Sequence, residues 1–551
     1  MKKRSLGSMR KIAGIAAIAL VMLVPPFAAF AAAGSGTSSV TPLSDVSAGS
    51  SGTWTFRYTA ADTFISGTLE IVIPDGWSAP QIADPYSAGY VTVSSSGTLG
   101  ATPLAIAGRV ITVYVTALDT AQTVDVVYGD QSIDAGGRSI AQTAVESAVE
   151  FAMSSDPAGE TRSPLALSPS LDVVAGSIAK LTFTTPQRTF TADNESAVMR
   201  VRAEDEFGNP SSVAGDQSVD LSTSAASGMF SHLGGGDFAE TGAVAILAGE
   251  DTASFYYRDI VAGDKTITAS AGGQSWTDAQ QTVTVNAGIP FRLAVSPEDT
   301  TAVAGDYVRY RLRVEDEEGN PSALSNSQAI SLLGYPGDFY TTSNHGTPIT
   351  QITIASGAHT VYVDYRNTNK QMEFPPYVLA FLDDNGVSPT LEAASATIYV
   401  DSGPFDPATS EIEVSKSSAI ANGADSIAII VRARDAYYNG VGGAAVLIAS
   451  TGSGNTLHQP VGTTSGTGSA EGSIRSTKAE AKTITATLDG VDIVPSSDVT
   501  FTAGPFDAGV SSVAVSKATV VANGVDSTVV TVTVSDAQGN PISGSTVAIG
   551  A

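Results

Sequence analysis

The sequence predicts an all-β chain of tandem β-sandwich modules, and three observations carry that prediction. The first is long-range repetition. Gly403-Pro404-Phe405-Asp406 recurs as Gly504-Pro505-Phe506-Asp507, an offset of 101 residues, and Ala421-Asn422-Gly423-Ala424-Asp425-Ser426 recurs at the same offset as Ala522-Asn523-Gly524-Val525-Asp526-Ser527. A second mark, an Asp followed four residues later by an Asn, stands at Asp205/Asn209, Asp316/Asn320, Asp435/Asn439 and Asp536/Asn540, with Asp spacings of 111, 119 and 101. Periods this long are those of domains, not of short solenoid turns. The third observation is the pattern before each Asp. Val308, Tyr310, Leu312 and Val314 alternate with Arg309, Arg311, Arg313 and Glu315, and Met199, Val201 and Ala203 with Arg200, Arg202 and Glu204. Period-two alternation places the first set on a core face and the second in water.

Taken from the N-terminus, the elements follow in order. Lys2, Lys3, Arg4, Arg10 and Lys11 precede an apolar run over 12–24 and the small-residue site Ala29-Phe30-Ala31. A basic region, a short apolar region and such a site predict a secretory signal peptide over 1–33. The run is short of the roughly 20 residues a bilayer span needs, and no Cys follows it to carry a lipid. Residues 35–174 read as an N-terminal β-sandwich: Trp54, Phe56 and Tyr58 alternate with polar neighbours, as do Leu69, Ile71 and Ile73, with Gly, Ser and Pro turns between further short strands. Four repeats follow over 175–288, 289–402, 403–503 and 504–551. In repeats 3 and 4 the alternating core positions are Ile427, Ile429 and Val431, then Val530, Val532 and Val534. By the 101-residue offset, repeat 4 reaches only about half a sandwich by Ala551, so the sequence is expected to be a partial gene product.

Composition excludes several function classes. There are 28 basic and 55 acidic residues, a net charge of −27, with no basic tail or patch. Such a chain repels nucleic acid and anionic lipid, both of which demand clustered Lys and Arg. With no cysteine, each module must be held by its own core. The four histidines, His232, His345, His359 and His458, show no metal-ligand spacing, and no nucleophile elbow or phosphate loop is present. No catalytic or cofactor-binding residue is assigned. Two clusters offer hard oxygen ligands: Glu204-Asp205-Glu206 with Asn209, and Glu315-Asp316-Glu317-Glu318 with Asn320. Asp205, Asn209, Asp316 and Asn320 are therefore the candidate calcium ligands. The competing reading is a tight turn in which Asp and Asn bond their own backbone. Repetition of Asp and Asn without flanking acids in repeats 3 and 4 favours the turn. Trp54, Trp77 and Trp276 are candidate sugar platforms, against core packing, which the alternation around Trp54 favours.

The run of alternating apolar residues into Asp-x-x-Gly-Asn-Pro, preceded by Ala-Asn-Gly-x-Asp-Ser and closed by Thr-Ile-Thr-Ala (Thr266–Ala269, Thr483–Ala486), resembles bacterial immunoglobulin-like domains of group one. These are the repeats of invasin- and intimin-type surface adhesins. The similarity covers about residues 175–551. Repeat 3 departs from it, with Tyr438-Asn439-Gly440 where the others have Gly-Asn-Pro, which implies an altered turn. The resemblance implies immunoglobulin-like sandwiches, a non-catalytic role, and an extracellular, cell-surface stalk or adhesion protein with a host or bacterial surface protein or glycan as partner. An accessory region of a secreted polysaccharide-degrading enzyme and an S-layer or cell-wall structural protein are the alternatives.

Overall fold

The computed structural model describes residues 34–550 except 241, 372–374, 384–385 and 387. The expected signal peptide at 1–33 lies outside the described residues. Nearly every described element is a strand, and the one helical turn is a short 3-10 segment at Ala135–Gly137. No helix among the described residues is long and apolar enough to cross a membrane.

Every strand pairing stays within one stretch of sequence. Repeat 1 folds as two sheets. One orders Ile178–Phe183, Met199–Asp205, Thr252–Arg258 and Met229–Ser231, and the other orders Arg188–Thr191, Ala279–Asn286, Gly263–Ala271, Gln217–Thr223 and Gly242–Ile246. Repeats 2 and 3 reproduce this plan. In each, a short early strand pairs in parallel with the last one: Arg188–Thr191 with Val283–Asn286, Asp299–Val303 with Thr397–Asp401, and Ser418–Ile420 with Thr500–Thr502. An otherwise antiparallel double sheet with these pairings is an immunoglobulin-like sandwich. The N-terminal stretch is also a multi-sheet β unit, with strands from Thr37 to Val174. In repeat 4 the described pairing is a hairpin, Ser512–Val515 with Val530–Thr533.

The alternating residues lie where their period places them. Tyr310, Leu312 and Val314 are fully buried, as are Met199, Val201, Ala203, Ile427, Ile429 and Val431. Val308 is half-buried, and so are Val530, Val532 and Val534. Hydrophobic burial collects into four separate cores, one for the N-terminal unit and one for each of repeats 1 to 3.

Two expectations need correction. Glu204 and Glu315, assigned to water by their phase, are buried (5% exposed each). Arginine explains it: Arg202 donates to Glu204 at 2.6 Å and Thr182 at 3.0 Å, while Glu315 accepts from Arg313 and from Arg292 at 3.2 Å. The guanidinium heads lie over these carboxylates and pair them as they leave water, while staying partly exposed themselves. Trp77, a candidate sugar platform with core packing as its alternative, is core. It is 3% exposed and packs edge-on against Trp54, with ring centroids 4.8 Å apart, and against Phe151 at 5.0 Å. Trp276 packs half-buried against the repeat-1 core.

Candidate functional site at the inter-module turns

The four Asp/Asn pairs occupy equivalent turns, each at the end of the strand whose alternation announced it. In repeat 1 the Asp205 Oδ1 accepts the backbone N–H of Phe207 at 3.0 Å and of Asn209 at 2.8 Å, and Oδ2 accepts Gly176 N–H and Asn209 Nδ2, at 2.9 and 2.8 Å. The other repeats copy this arrangement. Gly288, Gly403 and Gly504 donate to Asp316, Asp435 and Asp536 at 2.6, 2.9 and 2.9 Å. Asn320, Asn439 and Asn540 donate through both backbone and side chain to the same three carboxylates. Each Asp therefore ties the linker glycine entering its repeat to the turn. Burial opposes ionisation, but the Asn amide and backbone N–H groups outweigh it and hold all four carboxyls below the usual range.

The Asn side chain then does something no sequence pattern declares: it reaches into the preceding module. Asn320 Nδ2 donates to Ile260 O and Asn320 Oδ1 accepts Ala262 N–H, both at 2.8 Å. Asn439 bonds Thr368 O and Lys370 N–H in the same way, both at 2.8 Å. Asn540 takes Thr477 O at 2.9 Å and Ala479 N–H at 2.8 Å. Asn209 takes Thr143 O at 2.8 Å and Val145 N–H at 3.3 Å. An amide side chain thus completes a rung of backbone-like pairing against a C=O and an N–H two residues apart. Two such bonds are worth about 1 kcal/mol each.

The receiving loops are themselves built. Asp259 (0% exposed) accepts Val261 N–H through Oδ1 and the Tyr257 hydroxyl through Oδ2. Asn367 Oδ1 accepts Asn369 N–H, and Ser476 Oγ accepts Lys478 N–H. These self-bonded turns fix the direction of the C=O and N–H that the next module meets. Sequence reasoning missed them, although a signal exists: Tyr257-Arg258-Asp259, Tyr365-Arg366-Asn367 and Ile474-Arg475-Ser476 are equivalent tripeptides.

Strand direction explains why these loops meet the turns. In repeat 1 the strand Met199–Asp205 runs antiparallel to Thr252–Arg258, with Met199 opposite Phe255 and Arg202 opposite Thr252. The Asp/Asn turn ends the first strand and the receiving loop ends the second, so they sit at opposite ends of one strand pair, which this staggered register sets about 30 Å apart. Repeats 1 to 3 therefore each carry a plug at one end and a socket at the other.

The candidate calcium ligands meet pairwise, Asp205 with Asn209 and Asp316 with Asn320, at two different joints. Their oxygens face N–H donors, and the flanking Glu206, Glu317 and Glu318 are exposed. Among the described residues no group of three or more His, Cys, Asp or Glu side chains could hold a metal ion. His232, His359 and His458 are exposed. His345 is exposed too, but its Nε2 lies 2.9 Å from Asp364, and its ring stacks on Tyr307 at 3.8 Å. The departure in repeat 3 leaves the turn intact, because Tyr438 takes the left-handed conformation (φ 69°) that Gly208, Gly319 and Gly539 take elsewhere.

Comparison with known proteins agrees with this architecture. Residues 409–502 match the bacterial Ig-like domain (group 1), and residues 507–551 match domain 3 of invasin. No curated protein matches the chain. Among solved structures, invasin, a bacterial integrin-binding protein, aligns at 14% identity and TM-score 0.30 over 58% of this chain and 60% of its own, so the chain spans under two thirds of that molecule. The Escherichia coli adhesin FdeC aligns at 17% identity and TM-score 0.35, over 60% of this chain and 99% of its own. InvD of Yersinia pseudotuberculosis aligns at 14% and 0.26, over 66% and 96%. At these scores the three alignments carry no argument about arrangement or partner.

Proposed function

We propose that this chain is the stalk of an exported, non-catalytic adhesion protein of the bacterial surface. The single observation that carries the reading is the repeated joint: four successive modules each insert an Asp-anchored Asn into a preformed loop of the module before. A joint copied four times in one polypeptide is what holding a line of modules extended requires, and catalysis has no use for it. The match of repeat 3 to the group 1 domain supports the same reading, as does the invasin-domain match of the last residues. The net charge of −27 suits a surface protein kept soluble and apart from nucleic acid.

The partner belongs to this proposal as a host or bacterial surface protein or glycan. Cells displaying the full chain are expected to adhere to host cells, glycan arrays or other bacteria more than cells displaying a β-sandwich control. Turnover of a polysaccharide by the purified chain, without adhesion, would contradict the reading in favour of the accessory-enzyme alternative.

A further inference from the structure

The four joints share one clamp but not one surrounding. The residue two after each Asp is Phe207, Glu318, Tyr437 or Gln538, so a ring stands beside the first and third joints and a polar chain beside the other two. At the joint between the N-terminal module and repeat 1, the Phe207 ring occupies the space over Gly49, where a Cβ would lie 2.3 Å from it. At the joint between repeats 2 and 3, the Tyr437 ring lies over Gly305 in the same way. Both glycines have positive φ, 68° and 92°, so conformation and contact both demand glycine there.

The repeat 2–3 joint carries more. Arg366 lies over both the Tyr307 and Tyr437 rings, at 5.3 and 5.6 Å, and donates to the Tyr437 hydroxyl at 2.7 Å and to Gly305 O at 2.8 Å. Lys370 Nζ reaches Gly440 O across the joint at 3.2 Å. Tyr307 is held from behind by the stacked His345, itself fixed by Asp364, which also takes Arg309. The equivalent of Arg366 in repeat 1, Arg258, turns back onto Asp193 of its own module. Among the described residues no ion pair or cation–ring contact crosses the repeat 1–2 or repeat 3–4 joint.

We infer that the stalk is jointed unequally: Tyr437 and Arg366 lock repeats 2 and 3 into one mechanical unit, Phe207 seals repeat 1 to the N-terminal module, and bending concentrates at the Asn320 and Asn540 joints. Every joint opens by breaking the same N–H to Asn bond, so four amides report on it: Val145, Ala262, Lys370 and Ala479. The inference concerns hinge motion and stands whatever the stalk presents, so a failed adhesion assay leaves it untouched.

The test is residue-resolved amide hydrogen exchange on the full chain, corrected for intrinsic rates. The Lys370 amide is expected to exchange about tenfold or more slowly relative to Ala262 and Ala479. Tyr437→Ala should bring it to within about threefold of them, with the amides of the repeat-3 core strand around Ile429 unchanged as the measure of intact folding. Should that variant disturb the core strand, Tyr437→Phe serves instead; it keeps the ring, removes the Arg366 bond and is expected to give an intermediate rate. Equal protection of Lys370, Ala262 and Ala479 in the unaltered chain would overturn the inference. So would a Lys370 amide indifferent to both substitutions.

Discussion

At the scale of single residues, each joint rests on one carboxylate that four donors surround. Asp316 is 2% exposed, so removing it strands the Gly288 and Asn320 donors. Asp316→Ala is expected to destabilise repeat 2 by roughly 2–3 kcal/mol, read from a denaturant melt. Because the folded carboxyls titrate below the ordinary value near 3.9, their contribution is full above that pH and is lost as pH falls through the lower folded value. Repeat stability and joint protection should therefore hold from pH 7 to about 5 and decline below about 4, measured by thermal melts across that range; a flat profile to pH 2 would contradict the assignment. The oxygens of these carboxylates already accept N–H donors, so adding calcium or a chelator is expected to leave the melting temperature unchanged. Tyr438 supplies a different residue-scale test. It holds a left-handed conformation that costs a non-glycine residue about 1 kcal/mol, and Tyr438→Gly should recover about that much stability for repeat 3.

At the scale of elements, the core strands were legible because period two is a strong code where one face is dry. Burial of Ile427, Ile429 and Val431 follows directly from it. The code failed at Glu204 and Glu315, because it assigns faces by phase and ignores a neighbouring arginine that can lie over a carboxylate. It left Trp77 undecided, since a residue after Pro74-Asp75-Gly76 has no phase to read. As core, Trp77→Ala should cost about 3–5 kcal/mol of N-terminal module stability. A sugar platform would instead lose carbohydrate binding with little change in the melt. The turn function of Asp and Asn was legible from repetition, and so was its independence of flanking acids. The destination of the Asn amide was not, because its partners are backbone atoms some sixty or seventy residues away with no side-chain identity to repeat.

At the scale of the molecule, the four hydrophobic cores are separate, so no shared core fixes one module against the next. Orientation then falls to the linker glycine, the Asp, the Asn and the loop it enters, reinforced by a ring at two joints. The most direct measurement is small-angle X-ray scattering of the full chain beside a variant with Asn209, Asn320, Asn439 and Asn540 all changed to Ala. The account predicts an extended particle whose distance distribution shortens and loses its regular features in the variant, with the melting of the module cores preserved. Identical scattering from the two proteins would contradict it.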